Sequence, residues 1–495
     1  MFLELKNKKI ALLMMLATIV VEMYVTPNIV VISIFAVFYL VLIYKFYGES
    51  IREFFFYCSL LFSIVTLNNR NQFYISIIMY ILIYLFDFTQ NNDNWLKKIK
   101  FNKYSIFLLV FIFYMTSSMF WAEDKNFAFN YLIQYFISLA LFLVYISWNN
   151  NNKKYIKSLN FLKDLFYGIV ILGTLEICGI ELGLRNIFIT KEMYQVHLKR
   201  VPTVFFYNPN NYAFFLVLGI SALVINGICS NKKNTFVDNA IFIMAHVNII
   251  FTMSRLGLIA IYLSYFSLFT ILLISKNQQK KYFMIKKVIK YLVYSSMIFM
   301  VICLVPGTEP YCGRLKNTTI IKNIDKLFEK AVVEKETKLQ PVVTVGAKGS
   351  DNQRVTLLLD VFEGVILEKN IMGFGVGNIK NYILLKGNTH GVYQIHNFWF
   401  EILGDFGIGI LMYMGIIYLV GVFELTKPYL FRSKENNKYL LIPINMALIL
   451  VFLVLGPSSV VTFSTFWIAL GLIYSKISIN KGNIKVINNA SIEKF

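Results

Sequence analysis

Apolar runs long enough to cross a bilayer as helices, roughly 17 to 25 residues each, recur along this chain of 495 residues. The chain is 57% hydrophobic and only 15% charged, which leaves too little polar surface to cover a soluble globule of this size. Because hydrocarbon offers no hydrogen-bond partners, a chain inside it must satisfy its backbone groups internally, as a helix does. The sequence therefore predicts an all-α polytopic membrane protein.

The predicted transmembrane helices number about fourteen, or about twelve if one pair of short helices merges or is lost. Their approximate bounds are Ile10–Val25, Ile29–Phe46, Phe54–Leu67, Phe73–Phe88, Tyr104–Trp121, Phe127–Trp148, Leu159–Ile180, Phe206–Cys229, Val237–Phe251, Leu256–Ile274, Val288–Val305, Phe398–Leu425, Tyr439–Leu455 and Val460–Tyr474.

Lysines are concentrated in alternate joints between these runs, for example at Lys97–Lys103, Lys153–Lys157 and Lys276–Lys287. The opposite joints, such as Gly456–Ser459, hold almost no basic residue. Positive joints remain in the cytoplasm, so the pattern predicts a multi-pass protein of the inner (plasma) membrane with both termini cytoplasmic. The same pattern explains the net charge of +21 without nucleic acid as a partner. The basic N-terminus lacks a small-residue cleavage site and is expected to be a retained first helix.

This topology divides the chain into a transmembrane bundle at 1–305, an extracytoplasmic loop with helices at 306–396, and C-terminal transmembrane helices with a cytoplasmic tail at 397–495. Within the loop, Thr318–Leu339 has the apolar spacing of an amphipathic helix.

Basic residues at the predicted outer face are exceptions to the charge rule. Arg200 precedes the turn-forming segment that contains Asn208 and Asn210. A guanidinium there can bind the phosphate of a lipid carrier, and the two amides can face a sugar; the alternative is an arginine that extends to lipid headgroups. Arg255 lies in a tight turn between two helices, where an arginine either touches substrate or pairs with an acidic neighbour or a helix carbonyl.

The strongest candidates for chemistry lie between Asp351 and Glu401. Arg354 opens a helix-like segment, and His396 with Asn397 stands just before an apolar helix that contains Glu401. An imidazole at this place can accept a proton from an attacking hydroxyl at neutral pH, although a histidine at a helix start is often only a cap.

The segment between these residues contains a glycine turn with Gly375 and Gly377. It lacks the spacing and context of a nucleotide-binding fingerprint, and a flexible backbone that lets the loop fold over the bundle is its simplest explanation. The four histidines and five cysteines show no metal-ligand spacing, so neither a metal nor another cofactor is expected. Cys303 and Cys312 can form a disulfide on an oxidising face, although the sequence alone leaves this open.

The C-terminal three-fifths of the chain resembles the O-antigen ligase and polymerase superfamily of bacterial envelope polysaccharide enzymes. The resemblance rests on Arg200 with Asn208–Asn210, the turn Ser254–Gly257, Arg354 before Gly373–Asn378, and His396, Asn397 and Glu401 before Gly404–Gly409. The sequence departs from the usual pattern after Arg200, where Val201–Val204 stands in place of a nearby glycine.

The resemblance implies a GT-C-like, metal-independent, inverting glycosyltransferase that takes a glycan from a polyprenyl (undecaprenyl) diphosphate carrier. Arg200 and Arg354 would hold the diphosphate, and His396 would activate or orient the acceptor hydroxyl. Arg255, Asn208, Asn210, Asn397, Glu401, Gly375 and Gly377 are the candidates for substrate contact. A flippase or a chain-length regulator of the same pathway would be a natural partner, besides membrane lipid.

Three functions remain open on the sequence alone. The first, which the long lysine-rich outer loop favours, is a repeat-unit polymerase for capsule, O-antigen or a related envelope polysaccharide. The second is a ligase that moves a finished glycan to a lipid, protein or wall acceptor. The third is a flippase or transporter of the same lipid-linked sugars, which would be expected to show related halves and helices broken near the bilayer midplane.

Overall fold

The computed structural model describes residues 50–65, 71–90, 103–180, 201–206, 208–230, 235–275, 281–308, 311–312, 345–347, 350–431, 438–457, 459 and 463–492. Helices dominate this part of the chain, and no strand occurs in it. The prediction of an all-α polytopic membrane protein is confirmed. The first two predicted membrane helices, Arg200 and the predicted amphipathic helix Thr318–Leu339 lie outside the described residues.

Fourteen α-helices are numbered here in chain order within the described ranges. They are α1 Ile51–Ile64, α2 Asn71–Gln90, α3 Lys103–Ser117, α4 Lys125–Trp148, α5 Asn152–Ile177, α6 Pro209–Cys229, α7 Phe236–Phe251, α8 Arg255–Ile274, α9 Lys281–Leu304, α10 Ser350–Phe362, α11 Ile379–Lys386, α12 Phe398–Phe431, α13 Lys438–Leu453 and α14 Ser464–Ile492. Short 3₁₀ turns occur at Ser118–Phe120 and Val204–Phe206, and a π-helical turn at Glu363–Leu367 follows α10.

Six helices among the described residues are long and apolar enough to cross a membrane: α4, α5, α6, α8, α9 and the Phe398–Lys427 part of α12. Four shorter apolar stretches, Tyr74–Phe86, Ile106–Phe120, Phe236–Phe251 and Lys438–Leu453, coincide with predicted crossings. Their bounds follow the apolar runs because lipid and neighbouring helices both select apolar side chains along the buried length.

Polar side chains join the helices in the middle of the bundle. Asn445 of α13 donates hydrogen bonds from Nδ2 to Ser221 of α6 at 2.5 Å and to Ser264 of α8 at 2.7 Å. Asn248 of α7 donates to Thr174 of α5 at 2.8 Å. Such bonds stabilise helix pairs where apolar burial gives little drive for association, because lipid is itself apolar.

The two ends of the bundle differ in charge. At one end Lys157 pairs with Glu53, Lys163 pairs with Asp238 at 3.3 Å, and Lys287 donates to the carbonyl of Ser230 at 2.7 Å. At the opposite end Nδ2 of Asn378 donates to the carbonyl of Asp124 at 3.2 Å, so the joint after α3 meets the segment before α11. Two segments that were predicted to lie on the outer face thus meet at this second, lysine-poor end.

Helices α10 and α11, together with the π-helical turn, pack on the first turns of α12. They share a small apolar core of their own, built from Leu357, Val361, Val365, Ile379, Ile383, Ile395 and Leu403. Ion pairs from Lys386 to Asp360 at 3.1 Å and to Glu363 at 2.6 Å hold α11 beside α10. The helical part of the loop is thus fixed against the end of the bundle.

Candidate functional site

His396 lies immediately before helix α12, at the lysine-poor end of the bundle. Its backbone is left-handed, with φ at 55°, and its Nδ1 lies 3.4 Å from the carbonyl oxygen of Gly456. The next residue, Asn397, accepts hydrogen bonds at Oδ1 from the backbone N–H groups of Trp399 at 3.1 Å and Phe400 at 3.3 Å. Asn397 is therefore the N-cap of α12, and it sets the direction in which the chain leaves His396.

Arg354 of α10 acts electrostatically on this imidazole. Burial lowers the pKa of His396 to about 4, and the positive charge of Arg354 contributes to the same shift. The charge of Arg354 thus acts on the imidazole, although 42 residues separate the two along the chain. With this pKa the imidazole is neutral at physiological pH and has one nitrogen free to accept a proton.

Glu401 lies one turn into α12 and is buried in an ion pair that sequence reasoning missed. Its Oε1 lies 2.8 Å from Nζ of Lys380, and both side chains are almost completely inaccessible to solvent. Lys380 also donates to the hydroxyl of Tyr131 at 2.8 Å, and Ser459 donates to Glu401 at 2.9 Å. Burial lowers the pKa of Lys380, but the nearby carboxylate of Glu401 raises it by more. The net shift of the pKa is upward, so the lysine stays charged.

One sequence signal could have found Lys380. Helix α11 is short and places Ile379 and Ile383 on its buried face, and Lys380 lies on that face next to Ile379. A lysine on the apolar face of a helix is rare unless it has a partner. The partner itself was beyond sequence reasoning, because Glu401 is 21 residues away in another helix.

We expect Lys380→Met to destabilise the folded protein by about 3–5 kcal/mol, because it leaves the Glu401 carboxylate buried without its cation. Thermal unfolding of the purified protein in detergent measures the change. The double variant Lys380→Met with Glu401→Leu is the matched control and should recover much of the loss. Equal unfolding temperatures for the wild type and Lys380→Met would contradict a stabilising pair.

The glycine turn docks on a break in α12. The backbone N–H groups of Phe374 and Gly375 donate to the carbonyls of Gly404 at 2.8 Å and Asp405 at 2.9 Å. Gly407, inside α12, has φ at 75°, and the helix is kinked there. The turn thus bonds to backbone groups around the point where α12 changes direction.

Close packing explains why glycine occupies positions 375 and 377 of this turn. Both have positive φ, at 88° for Gly375 and 73° for Gly377. A Cβ on Gly375 would lie 2.7 Å from the carbonyl oxygen of Ser118, and a Cβ on Gly377 would lie 2.6 Å from the ring of Tyr131. These glycines therefore provide close packing in place of the flexibility expected from the sequence.

The other predicted contacts lie at the same end. Asn208 is the N-cap of α6, and its Oδ1 accepts a hydrogen bond from the N–H of Asn210 at 2.8 Å. Arg255 is the first residue of α8, directly after the N-cap Ser254. The next residue, Leu256, packs against Gly456, whose carbonyl faces His396. The structure thus brings His396, Arg354, Asn397 and Glu401 together, with the Arg255 turn adjacent.

An apolar cavity that is partly open to the surface begins beside this site and extends into the bundle. Phe398 and Trp399, the two residues after Asn397, line it, as do the α14 residues from Phe466 to Ser478. These α14 residues span about 18 Å along the helix axis. The remaining walls come from α3, α4, α12 and α13: Phe107, Leu108, Phe111, Leu139, Phe142, Leu143, Ile146, Met414, Tyr418, Leu450, Val451 and Val454.

A comparison with models of protein families gives a match. Residues 240–414 match the family model described as O-antigen ligase, a stretch that includes Arg255, Arg354, the glycine turn, His396 and Glu401. Comparisons with curated proteins and with solved structures return no match. The resemblance expected from the sequence is confirmed over this segment. The match of residues 240–414 to the O-antigen ligase model supports a place for this chain in the O-antigen ligase and polymerase superfamily.

Proposed function

We propose that this protein is an oligosaccharide repeat-unit polymerase. It transfers a glycan from a polyprenyl diphosphate carrier to a saccharide that is itself carrier-linked, at the outer face of the plasma membrane. One observation carries the proposal: the partly buried imidazole of His396, whose pKa is lowered by burial and by the charge of Arg354, lies beside an apolar cavity lined by Phe398 and Trp399. The cavity suits a long hydrocarbon carrier, the guanidinium suits a diphosphate, and the imidazole suits a hydroxyl.

The proposed reaction is a single displacement with inversion. The acceptor hydroxyl oxygen attacks the anomeric carbon of the donor sugar, and its proton passes to His396. A new glycosidic bond forms as the bond from that carbon to the phosphate oxygen breaks, and the electron pair of the broken bond stays on the diphosphate. The positive charges of Arg354 and Arg200 stabilise the growing negative charge on the diphosphate. The two arginines thereby take the place of a metal ion.

Donor binding should also switch on the base. Burial and the charge of Arg354 lower the pKa of His396 in the protein alone. A bound diphosphate brings negative charge next to Arg354 and offsets its effect on the imidazole. The affinity of His396 for a proton therefore rises when the donor binds, which favours proton transfer from the acceptor hydroxyl.

Two observations support placement of the site on the outer face. Cys303, at the end of α9, and Cys312 form a disulfide, and disulfides persist in oxidising compartments. The opposite end of the bundle carries Lys157, Lys163 and Lys287 and the lysine-rich joints of the sequence, in agreement with the positive-inside rule. With this orientation both termini are cytoplasmic, and the loop at 306–396 is extracytoplasmic.

A flippase or transporter is less well supported by the fold. Helix α12 is broken at Gly407, a feature that transporters share. Here, however, the backbone of Phe374 and Gly375 bonds to the carbonyls of Gly404 and Asp405, so the glycine turn occupies the break.

Purified protein incubated with a polyprenyl-diphosphate oligosaccharide in the presence of EDTA tests the function. The proposal predicts a ladder of products that differ by one repeat unit. A single shift of the glycan onto a different added acceptor would identify a ligase. The absence of any product, together with movement of the lipid-linked sugar across a vesicle membrane, would indicate a transporter.

The pH dependence of kcat/KM tests the state of His396 in the free enzyme. With the pKa near 4, the base is already neutral at pH 5.5, so kcat/KM should change little between about pH 5.5 and 7.5. An ordinary imidazole, with a pKa of about 6.5, would instead lose about tenfold over that interval. A half-maximal value near pH 6.5 would contradict the buried, cation-flanked environment.

A further inference from the structure

Residues 367–372, which connect the π-helical turn with the glycine turn and are called the apolar turn below, expose three apolar side chains. Leu367 is 65% exposed, Ile371 63% and Met372 50%. They belong to the predicted extracytoplasmic loop, where water would be the expected surroundings, and the proposed reaction uses none of them. A group of exposed apolar side chains in one turn marks a surface for an apolar partner or for a membrane.

Contacts with α3 show how deep the apolar turn lies. The N–H of Val376 donates to Oγ of Ser118 at 3.0 Å, and Oη of Tyr114 donates to the carbonyl of Met372 at 3.2 Å. Tyr114 lies four residues before Ser118 and therefore about 6 Å further from the lysine-poor end, where α3 ends. From Val376 back to Met372 the chain thus moves by about one helical turn towards the middle of the bundle.

Contacts with α12 give the same depth independently. The N–H of Phe374 donates to the carbonyl of Gly404 at 2.8 Å, and the N–H of Ile408 donates to the carbonyl of Ile371 at 3.2 Å. Ile408 lies four residues further along α12 than Gly404, which is again about 6 Å away from the lysine-poor end. The apolar turn therefore contacts both helices at a deeper level than the glycine turn does.

Helix α12 also indicates where the bilayer surface lies. Beyond the break at Gly407, the stretch from Ile408 to Lys427 contains 20 residues and is about 30 Å long, which is the thickness of a hydrocarbon core. Glu401 comes before the break, and charged side chains are costly within hydrocarbon. The bilayer surface therefore lies close to the break, at the level of the apolar turn.

The helix surfaces next to the apolar turn are apolar and exposed. Phe113 of α3 is 75% exposed and Met412 of α12 is 60% exposed, and both lie in apolar stretches that coincide with predicted crossings. Acyl chains must cover them in a bilayer. Phe113 directly precedes Tyr114, and Met412 is one turn beyond Ile408, the two residues that bond to the apolar turn. The lipid that covers α3 and α12 can thus reach this turn.

We propose that the apolar turn is a membrane anchor, in which Leu367, Ile371 and Met372 insert among the acyl chains of membrane lipids at the edge of the bilayer. The polar residues of the turn are compatible with this location. Glu368 accepts a hydrogen bond from the hydroxyl of Tyr382 in α11 at 2.8 Å, and a lysine such as Lys369 can extend its ammonium to the headgroups.

The anchor holds the helical part of the loop at a fixed height on the bilayer. Helix α10, which contains Arg354, leads through the π-helical turn into the apolar turn, and the glycine turn follows it. The anchor needs only lipid, so it is independent of the reaction that the site catalyses.

Nitroxide spin labels test the anchor in nanodiscs of phosphatidylethanolamine and phosphatidylglycerol that contain no carrier lipid. The label is attached at Ile371→Cys or Met372→Cys, and at Phe113→Cys as the lipid-exposed reference. His390→Cys, at an exposed position of the same loop, is the matched control. The background protein has alanine in place of the free cysteines Cys58, Cys178 and Cys229.

Oxygen concentrates in hydrocarbon, whereas a charge-neutral nickel chelate stays in water. The ratio of oxygen to nickel collisions should be several-fold higher for the labels at Ile371 and Met372 than for the label at His390, and close to that at Phe113. A ratio at Ile371 equal to that at His390 would overturn the anchor.

A photoreactive benzoylphenylalanine at Met372 identifies what covers the turn. Crosslinks to phospholipid are expected in the same nanodiscs. Crosslinks to a second copy of the chain, with the spin label at Ile371 shielded from both oxygen and nickel, would show a protein contact in place of lipid and would also overturn the anchor.

Discussion

His396→Ala is expected to abolish glycan transfer while the protein still inserts in the membrane and folds. In the proposed reaction the imidazole of His396 accepts the proton of the acceptor hydroxyl. Loss of such a general base lowers rates by about 10²- to 10⁴-fold. Among the described residues, its ring makes one hydrogen-bonding contact, a long one of 3.4 Å to the Gly456 carbonyl, so its removal should break no strong hydrogen bond. Polymer length in cells, together with product formation by the purified variant, measures the effect.

The matched control for this variant is His390→Ala. His390 also lies before α12, also has a left-handed backbone with φ at 53°, and contacts a backbone carbonyl, that of Gly346, at 2.9 Å. It differs from His396 by being exposed. Polymer of normal length in His396→Ala, or equal losses in both variants, would contradict a catalytic role for His396.

Arg354→Lys should lower kcat/KM by about 10²-fold or more. An ammonium keeps the positive charge but lacks the planar pair of donors that a diphosphate engages, so transition-state stabilisation is lost although net charge is unchanged. Because the charge remains, the low pKa of His396 should largely persist, and the pH profile should keep its shape at a lower level. Kinetics with a polyprenyl-diphosphate oligosaccharide measure both effects.

Arg52→Lys is the corresponding control at the opposite end of the bundle. Arg52 lies over the ring of Tyr84 at 4.5 Å, far along the chain from the candidate site and among the lysine-rich joints. The same chemical change there should leave transfer near the wild-type rate. Near-normal kcat/KM in Arg354→Lys would show that paired donors are not needed, and the diphosphate would then need another ligand.

Helix positions were predictable wherever lipid selects the side chains. The predicted run Phe127–Trp148 became α4, Lys125–Trp148, and the run Leu256–Ile274 became α8, Arg255–Ile274. Length and hydropathy suffice for such helices because every residue between the two membrane surfaces must avoid polar exposure. The last helix was predicted as Val460–Tyr474, whereas α14 extends from Ser464 to Ile492. The prediction ended too early because it followed the apolar run, and a helix can continue beyond such a run into polar sequence.

The arrangement around the site was only partly predictable. A histidine before an apolar helix and an arginine before a glycine turn are visible as sequence, and their proximity is what the structure adds. The pair Lys380–Glu401 and the docking of Phe374 and Gly375 on the break in α12 depend on contacts between separate elements. Local propensity contains no information about such contacts, and glycines at 404, 407 and 409 are also common within membrane helices.

A structure of the protein in a lipid nanodisc, bound to a non-transferable polyprenyl phosphonate analogue of the donor, tests the central claim most directly. The account predicts phosphonate oxygens within hydrogen-bond distance of the Arg354 guanidinium and the sugar beside His396. The prenyl chain should occupy the cavity lined by Phe398, Trp399 and Phe466. An analogue bound at the lysine-rich end of the bundle, or with its phosphonate remote from both Arg354 and His396, would contradict the account.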